Sequence, residues 1–318
     1  MHRIVCALAA LTAFTAVHAQ NYPTKPLRII APFTAGGPVD VTARILAQKL
    51  NEAWGQQVIV ENRVGASGTI GADLVAKAPP DGYTLLANSS SHVIVPSLFA
   101  KVPYDAIHDF APVTVVSTSS LVLVVTPTLP VKNVKEFVAL ARARPGELSF
   151  ASAGAGSSTH LTSELFKSIT GTNMQHVPYK GQSQALTDLI SGQIPFMFNT
   201  LQAVSEFVKA RRLRVLAITA DKRSARLPEV PTFIEAGYKD MVTGSWYAIW
   251  LPAKAPETLI TRLNIEIVRI IALPDVRNRI IELGGEPVGN SPSAFDAFQK
   301  SEMARWAQVI KASGAKVD

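Results

Sequence analysis

Cysteine is almost missing from these 318 residues: Cys6 is the only one. It lies in the opening stretch MHRIVCALAALTAFTAVHAQ, which combines a positive Arg3, an apolar run over residues 4–16 and a small-residue VHA ending at Ala19. That grammar reads as an export signal cleaved after Ala19. The mature chain would then hold no cysteine, which excludes disulfides, thiol chemistry and Cys-ligated metal. Long apolar runs are missing too. The leader falls well short of the ~20 residues that cross a bilayer, and the longest later block, SLVLVVTP, is strand-sized. The expectation is an exported, soluble, periplasmic product.

Charge is sparse, at 17% of residues. Removing Arg3 leaves 30 Lys and Arg against 24 Asp and Glu, so a net charge of +7 becomes +6. Such a balance suits attraction to anions, small acids included. The basic residues are dispersed, and the densest cluster, KARRLR over 209–214, suits the end of a helix before a strand. Nucleic acid is therefore not an expected partner. Of six histidines two leave with the leader, and 92, 108, 160 and 176 have no metal-ligand spacing. No metal or cofactor is expected. At 47% hydrophobic the chain can build a sizeable core, and its length suggests two domains of about 150 residues.

What is present is a repeated α/β pattern. PLRIIA (26–31) suits a buried strand, and PVDVTARILAQKLNEAWG then places Val41, Ile45, Leu46 and Leu50 on one helical face until Gly55 stops it. QVIVEN (57–62) is a strand, GTIGADLVAKA a helix and YTLLANS (83–89) a third strand. A second unit repeats the order through ELSFAS, STHLTSELFKSITG, MQHVPY, SQALTDLISG and QIPFMFNT, followed by helix VSEFVKARR and strand LRVLAIT. The two units are joined by STSSLVLVVTPTLP, with linkers expected near 122–126 and 241–245. GSWYAIWLP (244–252) alternates like a strand, and helices near 256–272 and 292–313 need the first sheet to cover. The expected architecture is two-lobed: each lobe a mostly parallel sheet flanked by helices, residues 22–122 plus 243–318 forming lobe 1 and 123–242 lobe 2, after a signal peptide at 1–19.

Two glycine loops carry the functional reading. PFTAGGPVD (32–40) and SFASAGAGSSTH (149–160) each follow a strand and open a helix. Ligands of open parallel sheets bind beyond the strands' carboxyl ends. The first N–H groups of each helix carry partial positive charge there, and Gly36, Gly37, Gly154 and Gly156 let the backbone approach a ligand. Pro38 fits the first helical position. One loop in each lobe predicts a cleft that grips a carboxylate through backbone donors without Arg or Lys. GASGTIG (65–71) is a further glycine-rich helix start, where Asn62 could cap or line the cleft, and Asp40 is read as a helix-dipole and N–H partner. GAGSST lacks the third glycine of a dinucleotide fingerprint, and no nucleotide P-loop occurs. Ser157 and His160, three apart on one helix, cannot be assumed to pair, and the G-x-S-x-G elbow is missing. Ser157 to Thr159 read instead as N-cap and ligand hydrogen-bonders, and the chain as not an enzyme.

The stretches YPTKPLRIIAPFTAGGPVD, VIVENRVGASGTIGADLVAKAPPDGYTLL, SFASAGAGSSTHLTSELF, HVPYKG and RLPEVPTFIEAGY resemble the Bug family, the extracytoplasmic receptors of tripartite tricarboxylate transporters. The resemblance covers essentially the whole mature chain. It implies a type II periplasmic-binding-protein fold whose lobes close over a small carboxylate: an amino acid, a di- or tricarboxylate or an aromatic acid. Carried onto this chain, it places Phe33, Thr34, Ala35, Gly36 and Gly37 in the lobe 1 loop, and Ser89, Ser90 and Ser91 after the third strand. Ser152, Ala153, Gly154, Gly156, Ser157 and Ser158 form the lobe 2 loop, while Tyr179, Lys180 and Asn199 close the far wall. Two departures stand out: AGGPVD puts Pro38 where the family often offers an N–H donor, and Asn199 stands where many relatives carry Asp, which favours an acidic or amide-bearing ligand over an ammonium. The implied role is a monomeric receptor that delivers its ligand to membrane permease subunits. Handing the ligand to a sensor protein, or a serine hydrolase built on the second loop, are the alternatives.

Overall fold

The computed structural model describes residues 22–313. Strand β1 (Leu27–Ala31) enters helix α1 (Pro38–Trp54), which starts with Pro38 in its first turn and ends on Gly55 at φ 63°, the left-handed conformation glycine adopts freely. Then follow β2 (Val58–Asn62), a 3-10 turn (Ala66–Gly68), α2 (Thr69–Ala76), β3 (Thr84–Ser89) and α3 (Ser91–Leu98). β1 lies between β2 and β3 and pairs parallel with both. Such a strand is covered on both faces, so its side chains read as a continuous apolar run: Leu27, Ile29, Ile30 and Ala31 are all fully buried.

The stretch expected to join the two units does join them, mostly as strand instead of loop. It belongs to β4 (Phe110–Val125), 16 residues long and running through both lobes. Up to Ser120 it pairs antiparallel with β9 (Gly244–Pro252); from Leu121 it pairs instead with β7 (Phe196–Thr200) and β8 (Arg214–Ile218). The partners change between Ser120 and Leu121, so Val122–Val125 sit inside the second sheet. Between β4 and β9 the chain runs through α4 (Val134–Ala143), β5 (Ser149–Ser152), α5 (Ser158–Thr170), β6 (Gln175–Pro178), α6 (Gln182–Ile190), β7, α7 (Leu201–Lys209) and β8. β5 pairs parallel with β6 and β7. The strands form one curled order, β2-β1-β3-β9-β4-β7-β5-β6.

After β9 come α8 (Glu257–Ala272), α9 (Pro274–Glu282), the short β10 (Glu286–Pro287) and α10 (Pro292–Ser313). α8 and α10 do cover the first sheet. Leu263, Ile267 and Ile270 join α1 against β1, while Phe295 of α10 packs with Trp246 and Trp250 of β9. The indole N–H groups there are not orphaned: Trp250 Nε1 donates to Gln299 Oε1 at 3.0 Å and Trp246 Nε1 to Glu302 Oε2 at 3.1 Å. Aromatics are only 7% of the chain, but the second lobe concentrates them. Phe137, Phe150, Phe166, Phe196, Phe198 and Phe233 form its core, with Phe166 in edge contact with Phe198 and Phe233.

Candidate ligand-binding cleft

The first glycine loop runs from β1 to α1. Gly36 adopts φ +76°, where a Cβ is strained; Gly37 does not, but a Cβ on it would stand 3.2 Å from Thr34 O. The loop turns its own amides inward. Gly36 N donates to Asp40 Oδ2 at 2.9 Å and Gly37 N to Thr34 O at 3.3 Å. Asp40, 2% exposed, also accepts from Arg44 Nε and Asn62 Nδ2, both at 2.9 Å. Burial pushes its carboxyl up, but the bonds from Arg44, the Gly36 amide and Asn62 outweigh burial and hold it below the usual range. Asn62 donates further to Phe33 O at 3.0 Å, so Asp40 and Asn62 brace the loop from behind.

The second glycine loop follows the same plan between β5 and α5. Gly154 and Gly156 take φ +119° and +77°. Ala153 N donates to Thr159 Oγ1 (3.0 Å), Gly154 N to Ser152 Oγ (3.1 Å) and Gly156 N to His160 Nδ1 (3.2 Å). Ser157 caps α5, its Oγ accepting from His160 N. Since Nδ1 of His160 accepts, its proton sits on Nε2. The ring of His176 stacks on it at 4.0 Å, and His176 Nε2 lies 2.6 Å from Ser152 Oγ. Burial lowers both imidazoles, His160 to about 3 with a further push from His176 and Lys167, His176 to about 4 with Lys167 adding.

The division of labour between glycines and helix amides follows from these bonds. The glycine amides do not point at a ligand, because each is used inside its own loop. The open donors are the next ones along: the N–H groups of Val39 and Asp40 in α1, and of Ser158 and Thr159 in α5, have no acceptor among the described residues. First-turn amides have no intrahelical partner by construction of the helix. The glycines set the loop path that aims them.

The two lobes touch across the cleft. Ser183 Oγ donates to Ala35 O at 3.2 Å, and a Cβ on Gly181 would overlap Thr34. On the other side, a Cβ on Gly156 would meet Val95 of α3 at 3.1 Å. Between these contacts is a narrow cavity of about 20 Å³. Lobe 1 gives it Phe33, Gly37, Pro38 and Val39 at the start of α1, Ser89 and Ser91 at the start of α3, and Tyr247 of β9; lobe 2 gives Ala153, Ser157 and Ser158 at the start of α5, and Gln182 at the start of α6. Four helix amino ends thus converge on one cavity, and no charged side chain borders it. Each helix amino end is equivalent to about half a positive charge, so the space favours an anion.

Of the residues expected at the site, Phe33, Gly37, Ser89, Ser91, Ala153, Ser157 and Ser158 border the cavity. Thr34, Ala35 and Gly36 lie where the lobes meet, and Ser90, Ser152, Gly154 and Gly156 stand behind the wall, shaping it. The expected far wall lies elsewhere. Tyr179 turns to Asp188 at 2.6 Å, and burial followed by that carboxylate pushes its hydroxyl up to about 12. Lys180 is exposed. Asn199 is fully buried, with its amide engaged by Met197 Sδ and Thr200 N. Val39, Gln182 and Tyr247 were not anticipated. Gln182 follows PYKG at a helix start, a signal the sequence does contain. Tyr247 has no local signal, because register alone sets it opposite Ser89 of β3 and Ser117 of β4. Nucleophile chemistry has no basis here: Ser157 Oγ donates to Gly154 O at 2.7 Å, while Nδ1 of His160 is occupied by Gly156 N. No group of three or more His, Cys, Asp or Glu suited to a metal occurs among the described residues, and no described helix is long and apolar enough to cross a membrane.

Residues 42–315 match the model of the tripartite tricarboxylate transporter family receptor. Protein BugT of Bordetella pertussis is 39% identical over 303 residues, 95% of this chain and 93% of BugT. Two solved structures are similar throughout. Rpa4515 of R. palustris, determined with adipate, is 36% identical at a TM-score of 0.90 and covers 93% of this chain and 100% of its own. MatC of Rhodopseudomonas palustris, with bound malate, is 29% identical at 0.87 and covers 91% and 100%. These relatives are solute-binding receptors and not enzymes, and receptors of this type are periplasmic. With its two-lobed α/β architecture and a family match over most of its length, the chain belongs to the Bug family of tripartite tricarboxylate transporter receptors.

Proposed function

We propose that this protein captures a small carboxylate in the cleft between its lobes and delivers it to the membrane subunits of a tripartite tricarboxylate transporter. One observation carries the reading: four helix amino ends meet at a cavity bordered by no charged side chain. The Val39, Asp40, Ser158 and Thr159 amides would hold the ligand carboxylate, with the Ser89, Ser91, Ser157 and Ser158 hydroxyls around it. Adipate and malate in the two structural relatives are ligands of the same chemistry. The protein would act as a monomer after removal of residues 1–19, with residues 22–122 plus 243–318 closing on 123–242; the leader itself lies outside the described residues.

Thermal shift of the mature chain against mono-, di- and tricarboxylates, amino acids and aromatic acids, with neutral amides as controls, tests the reading. A ligand at 100 times its dissociation constant stabilises the fold by about 2.7 kcal/mol. A shift with an acid and none with its amide supports the anion cleft. A flat response to every acid, from protein first unfolded and refolded to strip bound ligand, refutes it.

A further inference from the structure

Strands β4 and β9 pass between the lobes, and one buried residue serves both where their ladder ends. The last rung is Ser120 with Gly244. Next along β4 comes Leu121, just before β9 comes Thr243, and Thr219, directly after β8, bonds to both. Thr219 N donates to Leu121 O at 2.8 Å, and Thr219 O accepts from Thr243 N at 3.0 Å. The side chain completes the set: Thr219 Oγ1 accepts from Leu121 N at 3.0 Å and lies 2.6 Å from Thr243 O. Leu121 O, also 3.0 Å from Oγ1, already has the Thr219 amide, so the single hydroxyl proton goes to Thr243 O. Four backbone groups on the two crossing segments thus rely on one residue that is 1% exposed. Buried backbone groups left without partners are costly.

This knot reaches toward the cleft. Thr162 Oγ1 of α5 donates to Thr243 Oγ1 at 3.0 Å, and both residues are buried. Ser158, which borders the cavity, stands one turn before Thr162 on the same helix. The amino end of α5 is therefore tied, through Thr162, to the point where both strands change lobes.

We propose that Thr219 is a positioning residue for the cleft: its hydroxyl pins the two crossing strands, and Thr162 extends that anchorage to α5, so that together they fix the angle between the lobes. Replacing the hydroxyl by a methyl keeps the volume but leaves Leu121 N and Thr243 O unpaired, so the segments part more readily there. The proposal takes the cleft's role from the carboxylate-binding reading, while the pin itself involves no ligand.

Pulsed electron paramagnetic resonance on ligand-free protein tests it. The chain from Gln20 onward has no cysteine, so Asn51→Cys and Asn173→Cys, at exposed positions of the first and second lobe, carry one pair of spin labels. Thr219→Val should broaden or shift the interlobe distance distribution, and Thr219→Ser, which keeps the hydroxyl, should restore it. Thr170→Val is the control: that hydroxyl is equally buried and donates to Phe166 O at 2.6 Å, wholly within the second lobe, so its loss should leave the distribution as it was. Should Thr219→Val fail to fold, Thr162→Val takes its place with the same expected broadening. A distribution unchanged in the folded variant, or one altered as much by Thr170→Val, overturns the proposal. Because no acid is added, that outcome stands apart from the thermal-shift test of the cleft.

Discussion

Acidification from pH 7 to pH 5 should weaken the fold well before its carboxylates titrate, and three histidines set the size of the effect. His92 is fully buried among Tyr104, Phe110 and Trp250, with ring centroids at 5.7, 4.5 and 4.7 Å. Its Nε2 meets Ala106 O at 3.0 Å, while Nδ1 has no partner. A proton on Nδ1 would place a charge in an apolar cage with nothing to receive it, so burial lowers His92 to about 4, although the Ala106 carbonyl pulls the other way. His160 and His176 are lowered likewise, to about 3 and 4. In the unfolded chain all three titrate near 6.5. Below that value the unfolded state binds protons that the native state refuses, so stability falls as pH falls, until the folded values are reached. Each histidine contributes a slope of about 1.4 kcal/mol per pH unit, so three together approach about 4 kcal/mol per unit. From pH 6.5, where the unfolded histidines are half protonated, to pH 5 the loss is on the order of 5 kcal/mol, a large part of the 5–15 kcal/mol that holds a typical domain. Urea unfolding of ligand-free protein at half-unit pH steps measures it. His92→Gln, which can still donate to Ala106 O, should remove about a third of the slope. A urea midpoint constant between pH 7 and 5 would refute the reasoning.

Other perturbations separate binding from folding. Gly36→Val forces a β-branched residue to φ +76° at the lobe contact, so affinity for the bound acid should drop more than tenfold while the circular dichroism spectrum is kept; unchanged affinity would count against the loop. Ser157→Ala removes the N-cap of α5 and should cost about 1 kcal/mol in urea unfolding, with weaker ligand binding beside it. Phe166→Ala opens a hole beneath Phe137, Phe198 and Phe233. It should destabilise by about 3–5 kcal/mol, and a loss under 1 kcal/mol would mean that the second lobe refills the space.

The alternation of strands and helices was legible because helix faces and buried strands have distinct periods. β1, α1, β9 and α8 lie within a residue or two of where their patterns put them. β4 was not legible as one strand. Its apolar half, Leu121–Val125, looks like a self-contained block, whereas FAPVTVVSTSS carries a proline and three serines; only the neighbour β9 makes it a strand. α4 was missed despite a visible signal, the capping box Asn133–Glu136, whose Oδ1 accepts from Glu136 N at 2.9 Å. At the site, glycine spacing marks both loops and the helix starts behind them, but not which loop amides are already engaged. Which amide is free depends on Asp40, Ser152 and His160 reaching back into their own loops, and a linear pattern does not show that. Tyr247 reaches the cavity through strand pairing 158 positions away from Ser89 in sequence, as Ser89 and Tyr247 are register partners.

The same pairing bears on how the cleft closes. The lobes are joined by β4 and β9, antiparallel neighbours whose ladder includes Ser119 with Ser245 and Ser120 with Gly244. Two paired strands resist twisting more than two free linkers would, because bending must keep the ladder intact. Helix α10 adds a third tie. Trp306 and Ile310 pack with Ile94 of α3 and Leu161 of α5, one from each lobe, and Arg305 donates to Val242 O at 2.6 Å beside the hinge. Leu161 and Ile94, from opposite lobes, thus share one buried contact beneath Trp306. That buried contact holds the lobes together without any ligand, whereas the converging helix ends oppose it, since like partial charges are brought together around a space with no counter-charge. A carboxylate removes the opposition. On the proposed carboxylate reading the ligand would not pull the lobes shut so much as cancel the repulsion between their helix ends, and a site bordered by no cation would then still favour anions.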